Sequence, residues 1–206
     1  ITVMPNPDTL ETHATSQFTA TGADAAGNPV AIIATWATVN GGGSIDSDGL
    51  FTAADSIGTF TNTVRARSGG VDGFATVTVE PGPLATITVT PNPDTLDTNT
   101  TSQFTAVGED ADGNPVAITP SWAVVNGGGF INSNGLFTAG SSSGTFTNTV
   151  RASSGGVNGF ATVVVEAGVA PSPPFLDLGT AAPNGIIAGT EVTCINNGFI
   201  FADISI

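Results

Sequence analysis

Few side chains in this sequence could do chemistry, and most of those are carboxylates. Glu109-Asp110-Ala111-Asp112-Gly113-Asn114 sets acids at alternating positions ahead of a glycine. Ca²⁺ takes about six to eight oxygens, often from a tight turn, so Glu109, Asp110, Asp112 and Asn114 are the candidate ligands. The bidentate glutamate of a full calcium loop is missing. An equivalent stretch nearer the start keeps only Asp24 and Asn28, with Ala23 and Ala26 in place of the other acids. The competing reading is a polar hairpin turn whose geometry is set by Asn-Pro, and it carries more weight. Asp46 and Asp48 have Asn132 and Asn134 as equivalents, which suits Asx turns in both places. Calcium is the one cofactor this chemistry allows; no other is expected.

The remaining reactive groups lead away from catalysis. His13 is the single histidine, and its equivalent is Asn99, so the fold does not need it. It is expected on the surface, and without a Ser or Cys partner it makes a poor general base. Glu80 and Glu166 are equivalent strand ends in separate units, whereas a glycosidase needs two acids around one cleft. Arg65 and Arg151 are expected on an outward strand face, paired with an Asp or Glu. Three Arg and no Lys stand against 17 acids, for a net charge of −14. That balance excludes a nucleic-acid binder, because phosphate contacts need clustered cations. Absent lysine also removes Schiff-base and P-loop chemistry. Cys194 is a lone thiol, so no intrachain disulfide forms. Its strand-like neighbours suit a buried free thiol, with an intersubunit disulfide as the alternative.

Phe199-Ile200-Phe201-Ala202-Asp203-Ile204-Ser205-Ile206 is an apolar strand that must pair somewhere, since an open apolar edge aggregates. Three fates are open: the start of a truncated domain, addition to the sheet of a neighbouring chain, or docking on its own chain. Strand addition in trans would use Phe199, Phe201, Ile204 and Ile206, with Cys194 nearby. A contact of this head-to-tail kind builds filaments unless it closes into a ring. Self-association or neighbouring copies are therefore the expected partners. No apolar run reaches the ~18 residues of a membrane span, so membrane insertion is not expected.

The elements that position these groups follow from an internal repeat. Shifted by 86 residues, the chain falls on itself without a gap, with about three quarters of the positions identical. ITVMPNPDTL at Ile1–Leu10 matches Ile87–Leu96, and GTFTNTVRA at Gly58–Ala66 recurs at Gly144–Ala152. Residues 1–82 form the first unit and 83–168 the second, joined through the stiff Pro81-Gly82-Pro83. A Pro-rich linker at 169–174 leads to a tail at 175–206. Turn signals recur every 8–12 residues, which predicts an all-β sandwich of about seven short strands per unit. Alternation puts Val64 and Ala66 on one face of their strand and Thr61, Thr63 and Arg65 on the other, so the Thr-rich face is expected to meet water. Trp36 and Trp122 are expected as plugs between the two sheets. The chain opens at Ile1 inside a strand, as a processed product or a piece of a longer protein would.

Several short motifs now add up to a resemblance. Ile-Thr-Val-x-Pro opens both units, at Ile1–Pro5 and Ile87–Pro91. Gln-Phe-Thr-Ala follows at Gln17 and Gln103, then the Asp24–Val30 and Asp110–Val116 hairpins. A Trp and the Ser-x-Gly-Leu-Phe-Thr-Ala turns at Ser47–Ala53 and Ser133–Ala139 complete the pattern. Together these resemble the group 2 bacterial immunoglobulin-like domains of intimin- and invasin-type surface proteins. The tail, from Leu176-Asp177-Leu178-Gly179, resembles the start of an ice-binding-like β-solenoid, but Pro183-Asn184-Gly185 departs from that pattern. The resemblance implies a non-catalytic structural module, a stalk, adhesin segment or filament subunit, at the cell surface or outside the cell. It also implies that a host molecule, a glycan or another surface could be the ligand. The alternative is a glycan- or ice-binding module, with outward Thr rows such as Thr59-x-Thr61-x-Thr63 as the contact.

Overall fold

The computed structural model describes residues 1–168. The linker, the tail, Cys194 and the strand from Phe199 to Ile206 lie outside the described residues. Each repeat contributes ten β-segments. The first holds β1 (Thr2–Met4), β2 (Asp8–Glu11), β3 (Thr15–Gln17), β4 (Thr19–Ala23), β5 (Pro29–Val30), β6 (Thr35–Thr38), β7 (Gly43–Ile45), β8 (Leu50–Ala53), β9 (Gly58–Ser68) and β10 (Val71–Glu80). The second holds β11 (Thr86–Thr90), β12 (Asp94–Asp97), β13 (Thr101–Gln103), β14 (Thr105–Glu109), β15 (Pro115–Val116), β16 (Ser121–Val124), β17 (Gly129–Ile131), β18 (Leu136–Ala139), β19 (Gly144–Ser154) and β20 (Val157–Glu166). Ten replace the expected seven because the first strand and the middle strands break into short pieces. Among the described residues there is no helix.

The architecture is all-β, as the alternation predicts: two tandem sandwiches. In the first repeat a four-stranded sheet runs β2-β10-β9-β6, opposed by β1-β4-β5 and β3-β8-β7. The second repeat copies this as β12-β20-β19-β16, β11-β14-β15 and β13-β18-β17. The chain changes sheets within its first ten residues. β1 pairs antiparallel with β4, whereas β2 pairs parallel with β10. Pro5 and Pro7 sit at the crossing, where their missing N–H groups cost no ladder bond, and both X–Pro bonds are cis. Asn6 between them mends the neighbouring strand. Its side-chain oxygen accepts the Thr76 N–H at 3.0 Å, and its amide donates to the Phe74 carbonyl at 3.2 Å. Asn92 does the same for Thr162 and Phe160. Losing such a bond and leaving a strand N–H unpaired costs on the order of 1–2 kcal/mol. Asn92→Ala should therefore lower the denaturant midpoint of the second repeat with an unchanged slope.

Apolar side chains from alternate positions fill the centre of each sandwich. Phe18 and Phe51 meet edge to face at 5.9 Å between ring centres, as do Phe104 and Phe137. Val3, Val64, Val77 and Val79 close around the first pair. These phenylalanines, rather than the tryptophans, plug the sandwich. Trp36 and Trp122 are only half-buried and pack on the rim of each core. The reason is topological: β6 and β16 are edge strands of the four-stranded sheets, so one flank of each indole stays open.

The Thr face also departs from simple alternation. Thr59 and Thr61 are exposed, but Thr63 is fully buried, and so is Thr149 in the second repeat. Asn62 and Asn148 take left-handed φ angles of 54° and 50°, and the β9–β10 and β19–β20 registers shift there. Such a bulge turns the following residue to the other face. The buried Thr63 hydroxyl donates to the Gly41 carbonyl, and Thr149 to that of Gly127. The expected outward row Thr59-x-Thr61-x-Thr63 is therefore cut short, with Thr59 and Thr61 exposed and Thr63 withdrawn from it.

Candidate functional site

The groups with the most specific geometry gather where the two repeats meet. Pro81-Gly82-Pro83 connects β10 to β11, and the loop after β14 folds back over it. Asp110 is 3% exposed there. Its Oδ1 accepts the N–H groups of Asp112 at 3.0 Å and Asn114 at 2.8 Å, which closes an Asx turn. Its Oδ2 accepts the Gly82 N–H at 2.9 Å and the Asn114 side-chain amide at 3.0 Å. Burial alone would raise this carboxyl. The Asn114 side-chain bond, with the backbone N–H groups of Asn114, Gly82 and Asp112, outweighs burial and holds the pKa at about 2. Space at Gly82 is short: a Cβ there would lie 2.9 Å from Thr12 Oγ1, so that hydroxyl would have to turn aside.

Three further contacts reach from this loop to the first repeat or hold its side of the joint. The Asn114 amide donates to the Asp55 carbonyl at 2.9 Å. His13 Nε2 lies 2.8 Å from Asp112 Oδ2, and its Nδ1 lies 3.6 Å from Asp55 Oδ1. His13 holds a left-handed φ of 62°, as Asn99 does at 63°. The backbone position thus accepts either residue, in keeping with the view that the fold does not need the histidine. The imidazole is 59% exposed but serves the joint, a role its surface location did not announce. Its pKa is raised, first by the hydrogen bond to Asp112 and then by the Asp112 charge; burial opposes them, and the charges of Asp55 and Asp110 add smaller upward effects.

The sign of the resulting pH dependence is fixed. A folded pKa above 6.5 means that His13 adds stability fully present below pH 6.5, lost as pH rises past its folded value. The joint should therefore loosen as pH rises above about 6.5 and through the raised folded value of His13. An NMR titration of the His13 ring should give a midpoint above the free-imidazole value, and Asp112→Asn should pull it down. A midpoint unmoved by Asp112→Asn would remove His13 from the joint.

The predicted calcium set is divided by this geometry. Asp110, Asp112 and Asn114 share one turn, and both Asp110 oxygens already receive N–H donors. Glu109 ends β14 with its side chain exposed, and its carbonyl accepts the Ala85 N–H at 2.8 Å. Among the described residues, His13, Asp55 and Asp112 bring one ligand-capable atom each within 4.8 Å of one another. The first repeat has the same turn without the joint. Asp24 accepts the N–H groups of Ala26 and Asn28 and the Asn28 amide, and the Asn28 side-chain bond leads in lowering its pKa. Asp46 and Asn132 both make the expected Asx turns. Arg65 and Arg151 make no ion pair among the described residues, and their Nε atoms are buried without a partner. The bridge goes to Arg67 and Asp72 instead, at 3.0 Å, because those residues face each other across β9 and β10.

No protein-family model matches the chain, and no curated protein does. Solved structures align with it at low identity. The FdeC adhesin of Escherichia coli aligns at 21% identity and a TM-score of 0.50, over 81% of this chain and 63% of that one. Mouse Cadherin-23 EC22-24 aligns at 14% and 0.49, over 81% and 63%. The surface layer protein SbsC, domains 1-6, aligns at 22% and 0.38, and the match spans 74% of this chain and 23% of that structure. The chain is a pair of tandem β-sandwiches, a fold it shares with the FdeC adhesin.

Proposed function

We propose that this chain is a non-catalytic structural module of a prokaryotic surface or secreted protein, a stalk or adhesin segment or the subunit of an extracellular filament. The observation that carries this reading is the clasp at the joint. One end of the first repeat (His13, Asp55, Gly82) grips the opposite kind of end of the second (Asp110, Asp112, Asn114). A head-to-tail contact of this type, where its rotation does not close a ring, builds the open arrays that stalks require. It also adds to the stiffness that Pro81-Gly82-Pro83 already gives the link. The likeness to the FdeC adhesin supports the fold on which the reading rests. Each sandwich has strands of up to 11 residues, so it spans ~35 Å and a linear pair ~70 Å. In the filament version, the tail strand with Phe199, Phe201, Ile204 and Ile206 adds to a neighbouring copy, and Cys194 lies near that contact.

Negative-stain electron microscopy of the intact chain, beside one cut at Ser172, tests the proposal. Filaments from the intact chain alone make it a filament subunit. Single rods of ~70 Å from both make it a spacer. Compact particles with no long axis from either would sink the stalk reading.

A further inference from the structure

Three side chains from three separate segments meet on the open side of the joint. His13 follows β2, Asp55 follows β8, and Asp112 lies in the loop after β14. Each offers one ligand-capable atom, and the three atoms lie within 4.8 Å of one another. The backbone behind each is held. On either side of His13, the Thr12 N–H donates to the Glu80 carbonyl at 3.0 Å and the Ala14 N–H to the Glu11 carbonyl at 3.1 Å. The Asp55 carbonyl accepts the Asn114 amide, and the Asp112 N–H reaches Asp110 Oδ1. The outer ends of the side chains are free to turn. Those of His13 and Asp55 are 59% and 75% exposed, and that of Asp112 is 21% exposed.

The imidazole decides the chemistry. Carboxylates alone suit Ca²⁺ or Mg²⁺, whereas an imidazole beside carboxylates suits Zn²⁺ and its first-row neighbours. Four-coordinate Zn²⁺ holds N and O ligands at about 2.0–2.2 Å, which sets them about 3.4 Å from one another. His13 Nε2 already lies 2.8 Å from Asp112 Oδ2, and His13 Nδ1 lies 3.6 Å from Asp55 Oδ1. One ion takes only one ring nitrogen, so one of the exposed side chains turns to share it. The charges of Asp112, Asp55 and Asp110 all favour a cation at the ring. Asp110 itself stays out of the set, because both its oxygens already receive N–H donors. The other copy of each position supplies a comparison. Asn99, Ser141 and Ala26 stand there, and none offers an imidazole or a carboxylate. All three positions gain such a group only where the repeats meet.

We infer that His13, Asp55 and Asp112 form a site for a divalent first-row ion of the Zn²⁺ type, which bridges the two repeats. One ring nitrogen of His13 and one oxygen each from Asp55 and Asp112 ligate the ion, and water completes the shell. Two ligands belong to the first repeat and one to the second, so the ion staples the joint. The site depends on the geometry of the joint and not on the stalk reading.

The test titrates Zn²⁺ into the metal-stripped full chain carrying Cys194→Ser, which keeps the lone thiol out of the count. Calorimetry should find a single tight ion per chain, and Zn²⁺ should move the His13 ring resonances. His13→Asn, Asp55→Ser and Asp112→Ala each install the residue that the other repeat holds at that position, so each keeps a backbone the fold already accepts. Each should weaken Zn²⁺ binding by about tenfold or more. Ca²⁺ at the same concentration should leave the ring resonances in place. Uptake that His13→Asn leaves unchanged, ring resonances that Zn²⁺ does not move, or an equal response to Ca²⁺ would overturn the assignment and leave the stalk reading untouched.

Discussion

Asp110→Ala should turn the joint from a clasp into a hinge. Four N–H donors converge on this carboxylate, and the one from Gly82 is buried with it, so removing the acceptor strands donors that water reaches poorly. The melting temperature of the second repeat should fall by about 5 °C or more. NMR alignment of the two repeats, equal in the parent chain, should diverge. Asp24→Ala is the built-in control. It removes the same Asx turn, but from an exposed loop with no Gly82 to hold, so it should cost less and leave the alignment intact. If both variants behave alike, Asp110 is only a turn residue and the clasp fails as an explanation of stiffness. The acid limb gives a second reading of the same group. Its folded pKa is depressed from 3.8 to about 2, so its contribution is fully present above pH 3.8 and is lost as pH falls through about 2. Asp110→Ala should flatten that part of the stability profile.

The repeat made the architecture legible. Period-2 alternation around Val64 and Ala66 and the Ser-x-Gly-Leu-Phe-Thr-Ala turns located strands that the structure places where expected. What escaped is non-local. Nothing near Asn6 in sequence says that it mends a strand 70 residues away. Thr63 looks like a solvent-facing residue until the bulge at Asn62 is known, and an asparagine at a left-handed φ leaves little trace in the pattern. Trp36 looks like a core residue because its neighbours are apolar, yet its strand lies at an edge. The joint had a signal that similarity between the repeats concealed. His13 stands against Asn99, Asp55 against Ser141, and Asp112 against Ala26. The three residues that meet at the joint are places where the repeats differ, because each repeat offers a different end to it. Asp110 gave no such signal. Asp24 matches it in type, and only the chain folded over it makes the environment of Asp110 different.

Phe51→Ala tests whether the repeats are two sandwiches held by a clasp or one cooperative block. Phe51 is fully buried against Phe18, and truncating a buried Phe costs about 3–5 kcal/mol. A unit of this size commonly holds about 4–13 kcal/mol in all, so the first repeat should lose much of its stability. Its transition, followed through Trp36, should drop on the order of 15 °C or more. The second repeat keeps its own core around Phe104 and Phe137, so it should stay folded. It nevertheless loses the Asp55 carbonyl and His13 as partners once the first repeat melts, and a small part of its stability should go with them. Calorimetry should therefore resolve two peaks, one far below the parent and one slightly below it. The mirror variant Phe137→Ala should exchange the two. A single peak that falls as a unit would mean that the joint couples the sandwiches more strongly than a few hydrogen bonds allow. A drop of only a few degrees would mean that Phe51 is not the centre of its core.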